Sequence, residues 1–451
     1  MTEKLLIRLL PVLLAAGFCA AALPVLAGAE KGKRGAALRR LWNEERWLWL
    51  DTPDRPRETL GMALVAAYFV LDWLWGTAAI AAHRVMGLPE IPAAWDTVST
   101  TLVCAVVLAK IVFSSRMSGR QLLLTEVLCA VFILWHMVTG YDPIARSLYA
   151  MLLLKDTDLR KALNWLWGCI AAKLMLHLGL IAAGVMTLGV SEQWEEGRVR
   201  ADLEFGSVNF LGIALVTMLM VWMALRPVFR LWHLVPAAAV LVFVNLVPEC
   251  RTAVVIGAGY VLLRALHRYL PALFGMGWVK AGLALAAPLV AVFSWVASIL
   301  YDHDVAWMQK LDFLLSRRLS LAHNTIFVEA TDYAYTFRWY GQAFITGRFY
   351  RVDNSYIYYY YLCGPIMVLL ICAGFALLTR KLQKQGDQTL VLLVAVLTVY
   401  AMMERCLNPS LNMALYLMPC ALYWGTAHPL TLQRGAPTLR ERPYTHCNTG
   451  D

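Results

Sequence analysis

Apolar runs long enough to cross a bilayer, about 20 residues each at 1.5 Å of rise per residue, recur along most of the chain, separated by short charged segments. They fall at 61–82, 96–115, 121–139, 163–190, 206–226, 252–271, 279–300, 356–378, 388–404 and 409–427. Two shorter runs read as tilted spans or re-entrant pieces: 141–154, which carries Arg146, and 231–247, squeezed between Arg230 and Glu249. Counting both as spans predicts an all-α, polytopic bundle of about twelve crossings. The one long polar segment, 301–355, then lies between the ninth and tenth core spans.

This count also sorts the charges. Arg116 and Arg120, Lys155, Arg160 and Lys161, Arg226 and Arg230, Arg264 and Arg268, Arg380, Lys381 and Lys384, and the tail arginines Arg434, Arg440 and Arg442 all fall on one side. Positive charge gathers on the cytoplasmic face of membrane proteins, so that side is expected to be inside. The opposite side receives Glu192, Glu195, Glu196, Asp202 and Glu204, the Glu249–Arg251 turn, and all of 301–355.

The N-terminus is harder to place. Residues 9–27 are apolar, and Leu26-Ala27-Gly28-Ala29 resembles a signal-peptidase site, yet the basic stretch 31–57 belongs on the cytoplasmic side. A thirteenth helix or an interfacial segment is favoured over a cleaved signal. Residues 28–60, with Trp42, Trp47 and Trp49 among arginines, read as an amphipathic stretch on the inner surface. The chain thus divides into 1–60, a bundle at 61–300, an extracytoplasmic loop at 301–355, further spans at 356–427 and a cytoplasmic tail at 428–451.

Composition agrees with this reading. Hydrophobic residues make up 60% of 451 and charged ones 16%, and the mean hydropathy is +0.59, too apolar for a soluble protein of this size. The net charge of +10 does not point to nucleic acid, because the basic residues sit in short clusters between apolar runs. Ten cysteines lie mostly inside spans with no C-x-x-C pair, so neither a zinc site nor a disulfide framework is expected. No internal repeat and no phosphate-binding G-x-x-x-x-G-K-[ST] loop is present.

The candidate chemistry sits at the outer rim. Arg251 follows Pro248-Glu249-Cys250 in a tight turn, where a guanidinium can grip a phosphate with a planar fork; an interfacial anchor or a salt bridge to Glu249 is the alternative. The 301–355 loop combines Arg317, Arg318, Arg338, Arg348 and Arg351 with Trp307, Trp339, Tyr333, Tyr335, Tyr340 and Tyr350. That mixture suits a sugar phosphate, with rings stacking on a pyranose and arginines holding phosphates. Asp353-Asn354-Ser355 is expected to cap the following helix, with Asp353 a candidate general base and Asn354 positioning it or the sugar. His323 is a second base candidate. Tyr356 and Tyr358 to Tyr361 read as interface anchors. The ionisable residues within spans, Asp72, Lys110, Glu126, His136, Lys173 and His177, are assigned no role, because most can snorkel to a span end.

Three features, in order, the third made of the two ends of the long loop, resemble motifs of the bacterial polysaccharide polymerase and O-antigen ligase superfamily. Asn209-Phe210-Leu211-Gly212 resembles the family's N-x-x-G element, with Val208 where proline is frequent. Glu249-Cys250-Arg251-Thr252 resembles its S-R-T turn, with Cys250 in place of serine. Ser316-Arg317-Arg318-Leu319 opens the long loop as G-R-x-x-W does, and Asp353-Asn354-Ser355-Tyr356, followed by Gly364, resembles its closing H/D-N-x-[YF]-L…G element.

The resemblance covers about residues 61–427. It implies a metal-independent glycosyltransferase, with no cofactor, that polymerises undecaprenyl-pyrophosphate-linked oligosaccharides at the outer face of the bacterial cytoplasmic membrane. Arg251, Arg318 and Asp353 would be catalytic. Glu249, Arg317, His323, Arg338, Tyr340, Arg351 and Asn354 would bind substrate. A chain-length regulator and a flippase would be partners. Ligases of the family carry histidine where this chain has Asp353, which favours a polymerase; a ligase, or a flippase or other transporter of lipid-linked sugar, is the alternative.

Overall fold

A computed structural model describes residues 33–47, 54–86, 93–139, 152–193, 198–226, 228–315, 317–324 and 352–407, with isolated positions between 17 and 29. The expected run at 141–154 is mostly, and those at 409–427 and 428–451 wholly, outside these residues. Arg338, Tyr340 and Arg351 of the long loop are outside them as well.

Among the described residues the chain is mostly helical. The helices are α1 (Arg34–Asn43), α2 (Asp54–Val85), α3 (Ala93–Ser114), α4 (Gly119–Thr139), α5 (Leu159–Ala182), α6 (Val208–Ala224), α7 (Leu234–Leu246) and α8 (Arg251–Tyr269). They continue with α9 (Pro271–Gly275), α10 (Gly277–Ala284), α11 (Ala286–Ile299), α12 (Ala306–Leu314), α13 (Arg318–Asn324), α14 (Ser355–Cys363), α15 (Pro365–Gln385) and α16 (Gln388–Met403). The structure is not purely helical: β1 (Arg46–Trp47) pairs antiparallel with β2 (Arg116–Met117), and β3 (Val190–Gln193) with β4 (Arg198–Ala201).

Three helices, Pro56–Val85, Leu159–Ala182 and Pro365–Gln385, are long and apolar enough to cross a membrane. The pair α10 and α11, bent by 62°, makes a fourth if read as one broken span. Val98–Ser114, Val208–Ala224, Leu231–Leu246 and Gln388–Met403 are shorter apolar helices. The bend has a cause in sequence: Pro288 has no amide hydrogen to donate and its ring collides with the carbonyl of Ala284, so the helix breaks at Leu285.

A second break divides the apolar run at 356–378. Gly364 adopts φ 80° and ψ 172°, a conformation open only to glycine, and Pro365 begins the next helix at its first position. One expected span is therefore the short α14 followed by α15. The apolar run at 163–190 also ends early, at Ala182, and its last residue begins β3.

Side-chain contacts sort the helix ends into two sets. Lys110 at the end of α3 donates to the carbonyl of Lys155 (2.6 Å), and Arg160 in the first turn of α5 donates to Leu225 O (3.5 Å). Arg264 near the end of α8 donates to Arg226 O (2.7 Å) and Thr389 Oγ1 (2.6 Å), and Gln383 to Lys280 O (2.8 Å). The basic clusters within the described residues thus share one end. At the other, Arg84 closing α2 pairs with Glu204 (2.7 Å), and Ala201 of β4 donates to Val247 O (3.1 Å) after α7.

Lys110 does not snorkel. It is fully buried, and its ammonium is held by Ser114 O, Ser115 Oγ and Lys155 O at 3.0, 3.3 and 2.6 Å. At the centre of the fold is α16, apolar all round and buried almost throughout, as such a helix must be. Asp387 caps it by accepting from Leu390 N (3.1 Å), and it packs against α8, α11, α14 and α15. Its far end delivers Glu404.

Candidate functional site

Glu404 and Arg318 are 2% and 8% exposed. The Arg318 guanidinium donates to the Glu404 carboxylate and to the carbonyl of Met403, and through Nη1 to Leu315 O (3.2 Å). The same carboxylate oxygen accepts from Thr252 Oγ1 (2.9 Å), and the Glu404 carbonyl accepts from Ser355 Oγ (2.6 Å). Three segments far apart in sequence therefore meet on one residue: the turn after Arg251, the opening of the long loop and the segment that closes it.

Each segment is held by local devices. Asp312, near the end of α12, accepts at Oδ1 from the amides of Leu319 (2.8 Å) and Ser320 (3.0 Å), capping α13 so that Arg318 enters from its first turn. Arg317 and Glu249, each just ahead of a turn into a helix, have φ of 60° and 44°. For a side chain with a Cβ this left-handed conformation costs about 1–2 kcal/mol, here offset by the surrounding contacts. Asn354 caps α14, its Oδ1 accepting from Tyr356 N (3.0 Å) and Ile357 N (3.2 Å); the expected capping motif thus resolves to Asn354 as the capping residue.

Two of the family-like motifs touch. The Cys250 thiol donates to Asn209 Oδ1 at 3.9 Å. A Cβ added to Gly212 would sit 2.7 Å from Cys250 Cβ and 2.8 Å from its sulfur, so α6 meets the turn before α8 at a distance only glycine permits. Ser207, whose hydroxyl accepts from Phe210 N (3.1 Å), starts α6 at this point.

Around the buried centre lie more accessible charges. Asp353 is 30% exposed at its side chain, and its Oδ1 lies 3.7 Å from Nε of Arg405, which is 49% exposed. The Arg405 guanidinium also stands 5.4 Å from the centre of the Tyr358 ring. Arg251 is exposed, and its guanidinium has no hydrogen-bond or ion-pair partner among the described residues. It projects from the N-terminus of α8, which itself favours anions.

Glu404 lies in the turn beyond α16. Burial, reinforced by the negative charge of Asp353 and opposed by Arg318, raises its carboxyl from the ordinary 4.5 to about 7. The arrangement can thus attract an anion at Arg251 and Arg405 and hold a proton near neutrality on the Glu404 carboxyl.

His323 belongs to a different cluster: its Nδ1 donates to Ser298 O (3.0 Å), and its ring lies 5.7 Å from Tyr301 and 6.2 Å from His303. Tyr356 and Tyr359, expected as interface anchors, are core residues instead. Their hydroxyls donate to Thr398 O (3.0 Å) and Leu407 O (2.8 Å), because α14 packs on α16 rather than facing lipid. Among the described residues no group of three or more His, Cys, Asp or Glu side chains could hold a metal ion.

Glu404, Arg405 and Asp312 were missed in the sequence. The signal for the first two was present: they are a lone charged pair where the apolar run 388–404 ends and before 409–427 begins, much as Glu249 and Arg251 stand between theirs. Asp312 gave none, since a single aspartate in a polar segment carries no sequence mark of a cap seven residues ahead. No protein-family model matches this sequence, and comparison with curated proteins and with solved structures gives no match.

Proposed function

We propose that this chain is an integral membrane glycosyltransferase. It joins oligosaccharide repeat units carried on undecaprenyl pyrophosphate into a polysaccharide at the outer face of the bacterial cytoplasmic membrane. The observation that carries the reading is the meeting of Thr252, Arg318 and Ser355 on Glu404. It gathers the segments that bear the family-like motifs around one rim, at the end of the molecule opposite the basic clusters. About twelve spans, with that rim facing outward, belong to the same reading.

In the proposed reaction an acceptor hydroxyl oxygen bonds to the anomeric carbon of the donor sugar as the bond from that carbon to the pyrophosphate oxygen breaks. Asp353, the accessible carboxylate, takes the hydroxyl proton. Arg251 and Arg405 hold the charge that develops on the departing undecaprenyl pyrophosphate, with no metal ion needed. Arg318, first a candidate for that task, is engaged by Glu404 and two carbonyls; it acts as a positioning residue that sets Glu404 and the long loop in place.

Surface glycan from cells that lack the protein, complemented with wild type or Arg251→Ala and resolved by gel, tests the reading. A polymerase variant accumulates single repeat units outside the membrane. Repeat units stranded inside would instead make the protein a flippase, polymer formed but not joined to its final acceptor would make it a ligase, and unchanged glycan would remove the enzymatic role.

A further inference from the structure

At the opposite end of the bundle, a cavity of about 390 Å³ opens between the first turns of α5 and the last turn of α6, lined by Arg160, Asn164, Trp167, Trp222, Leu225 and Arg226. Both arginines are exposed, and among the described residues neither side chain pairs with a carboxylate. The nearest acidic group in sequence, Asp158, is occupied at Oδ1 by the amides of Arg160 (3.0 Å) and Lys161 (3.3 Å). Arg226 is held from two sides: its carbonyl accepts from Arg264 Nη2 (2.7 Å), and its guanidinium lies 5.4 Å from the Trp222 ring. Arg160 spends one donor on a long bond to Leu225 O (3.5 Å), which leaves most of its fork for a ligand.

We propose that this cavity binds the phosphate of an anionic phospholipid. Two guanidinium groups and an amide side chain converging on one space are the donor set a phosphodiester takes. Basic pockets between helices on the cytoplasmic side suit anionic head groups. Lipid is preferred over a soluble phosphate because of what flanks the opening. Trp167, which lines it, and Trp232, whose ring centre lies 6.2 Å from that of the lining Trp222, are 36% and 52% exposed, amphipathic side chains suited to the boundary of head groups and acyl chains. The site is remote from Glu404 and stands whether or not the glycosyltransferase reading does.

The full-length protein in detergent, titrated with phosphatidylglycerol or phosphatidylcholine and read by native mass spectrometry, tests this. Wild type should retain one phosphatidylglycerol in preference to phosphatidylcholine by about tenfold. Arg160→Gln/Arg226→Gln should lose the preference while staying monodisperse, and Arg160→Lys/Arg226→Lys should keep part of it. Equal retention of the two lipids, or an unchanged preference in the glutamine variant, would overturn the proposal. So would displacement of the lipid by millimolar inorganic phosphate, which would assign the cavity to a soluble anion.

Discussion

Arg318 and Glu404, separated by 86 positions in sequence, form a buried ion pair whose carboxylate also receives the Thr252 hydroxyl. Two charges withdrawn from water repay their desolvation only when both stay paired. Removing one partner strands the other. Arg318→Ala or Glu404→Ala should each destabilise the protein by about 3–5 kcal/mol, read as a lower melting temperature in detergent. Arg318→Met/Glu404→Leu should cost much less than the two single losses added together. An additive double variant would show that the pair does not act as a unit.

The same carboxylate gives a pH signature. Its folded-state value of about 7 lies above the ordinary 4.5, so between those values the folded protein binds more protons than the unfolded one. The resulting stabilisation is complete below 4.5 and disappears as pH rises through 7. Melting temperature should therefore fall between about pH 5 and pH 8 through this group. Glu404→Gln should flatten that part of the slope, and an unaltered slope would assign it elsewhere.

Gly212 is the point of closest approach between α6 and the turn that carries Arg251. Gly212→Ala should drive a methyl into Cys250 and cost about 1–3 kcal/mol. Because the nearest atom is Cys250 Cβ, Gly212→Ala/Cys250→Gly should recover stability where Gly212→Ala/Cys250→Ala does not. Melting curves of the three variants decide it.

Gly364 separates α14 from α15 with a φ of 80°. Gly364→Ala should lower stability by about 1–3 kcal/mol, measured by thermal melting. A neutral result would mean that the break relaxes to a continuous helix.

At the rim, charge geometry and charge alone should separate. Arg251→Lys keeps the positive charge but loses the planar fork, so glycan chains should shorten without reverting to single repeat units. Asp353→Asn should abolish polymer while moving stability by no more than about 1 kcal/mol, as expected of a partly exposed ion pair. Gel profiles beside melting curves distinguish loss of chemistry from loss of fold.

The apolar runs and their charged ends were legible because lipid imposes one rule on every span: the backbone must bond to itself and charges must wait at the edge. Hence α2, α3, α5, α6, α8 and α16 lie close to the runs at 61–82, 96–115, 163–190, 206–226, 252–271 and 388–404, and the described basic clusters share an end. Asn209 and Gly212 stood out only through the family resemblance, Arg251 as a charge in a tight turn between apolar runs, and Asn354 because helix caps admit few residue types. The break at Gly364-Pro365 was missed inside the run 356–378, although both residues act locally on the backbone.

What no periodicity could supply was partnership. That Arg318 turns inward to Glu404 while Arg251 stays exposed, that Tyr356 is core, and that Lys110 is sealed rather than snorkelling depend on which helices lie side by side. Hydropathy weighs each segment against lipid or water and is blind to its neighbour. The choice of neighbour is made by packing between segments scores of residues apart, so the sequence alone determined the helices and their charged rims, and the tertiary structure decided which of those charges remain available to a ligand.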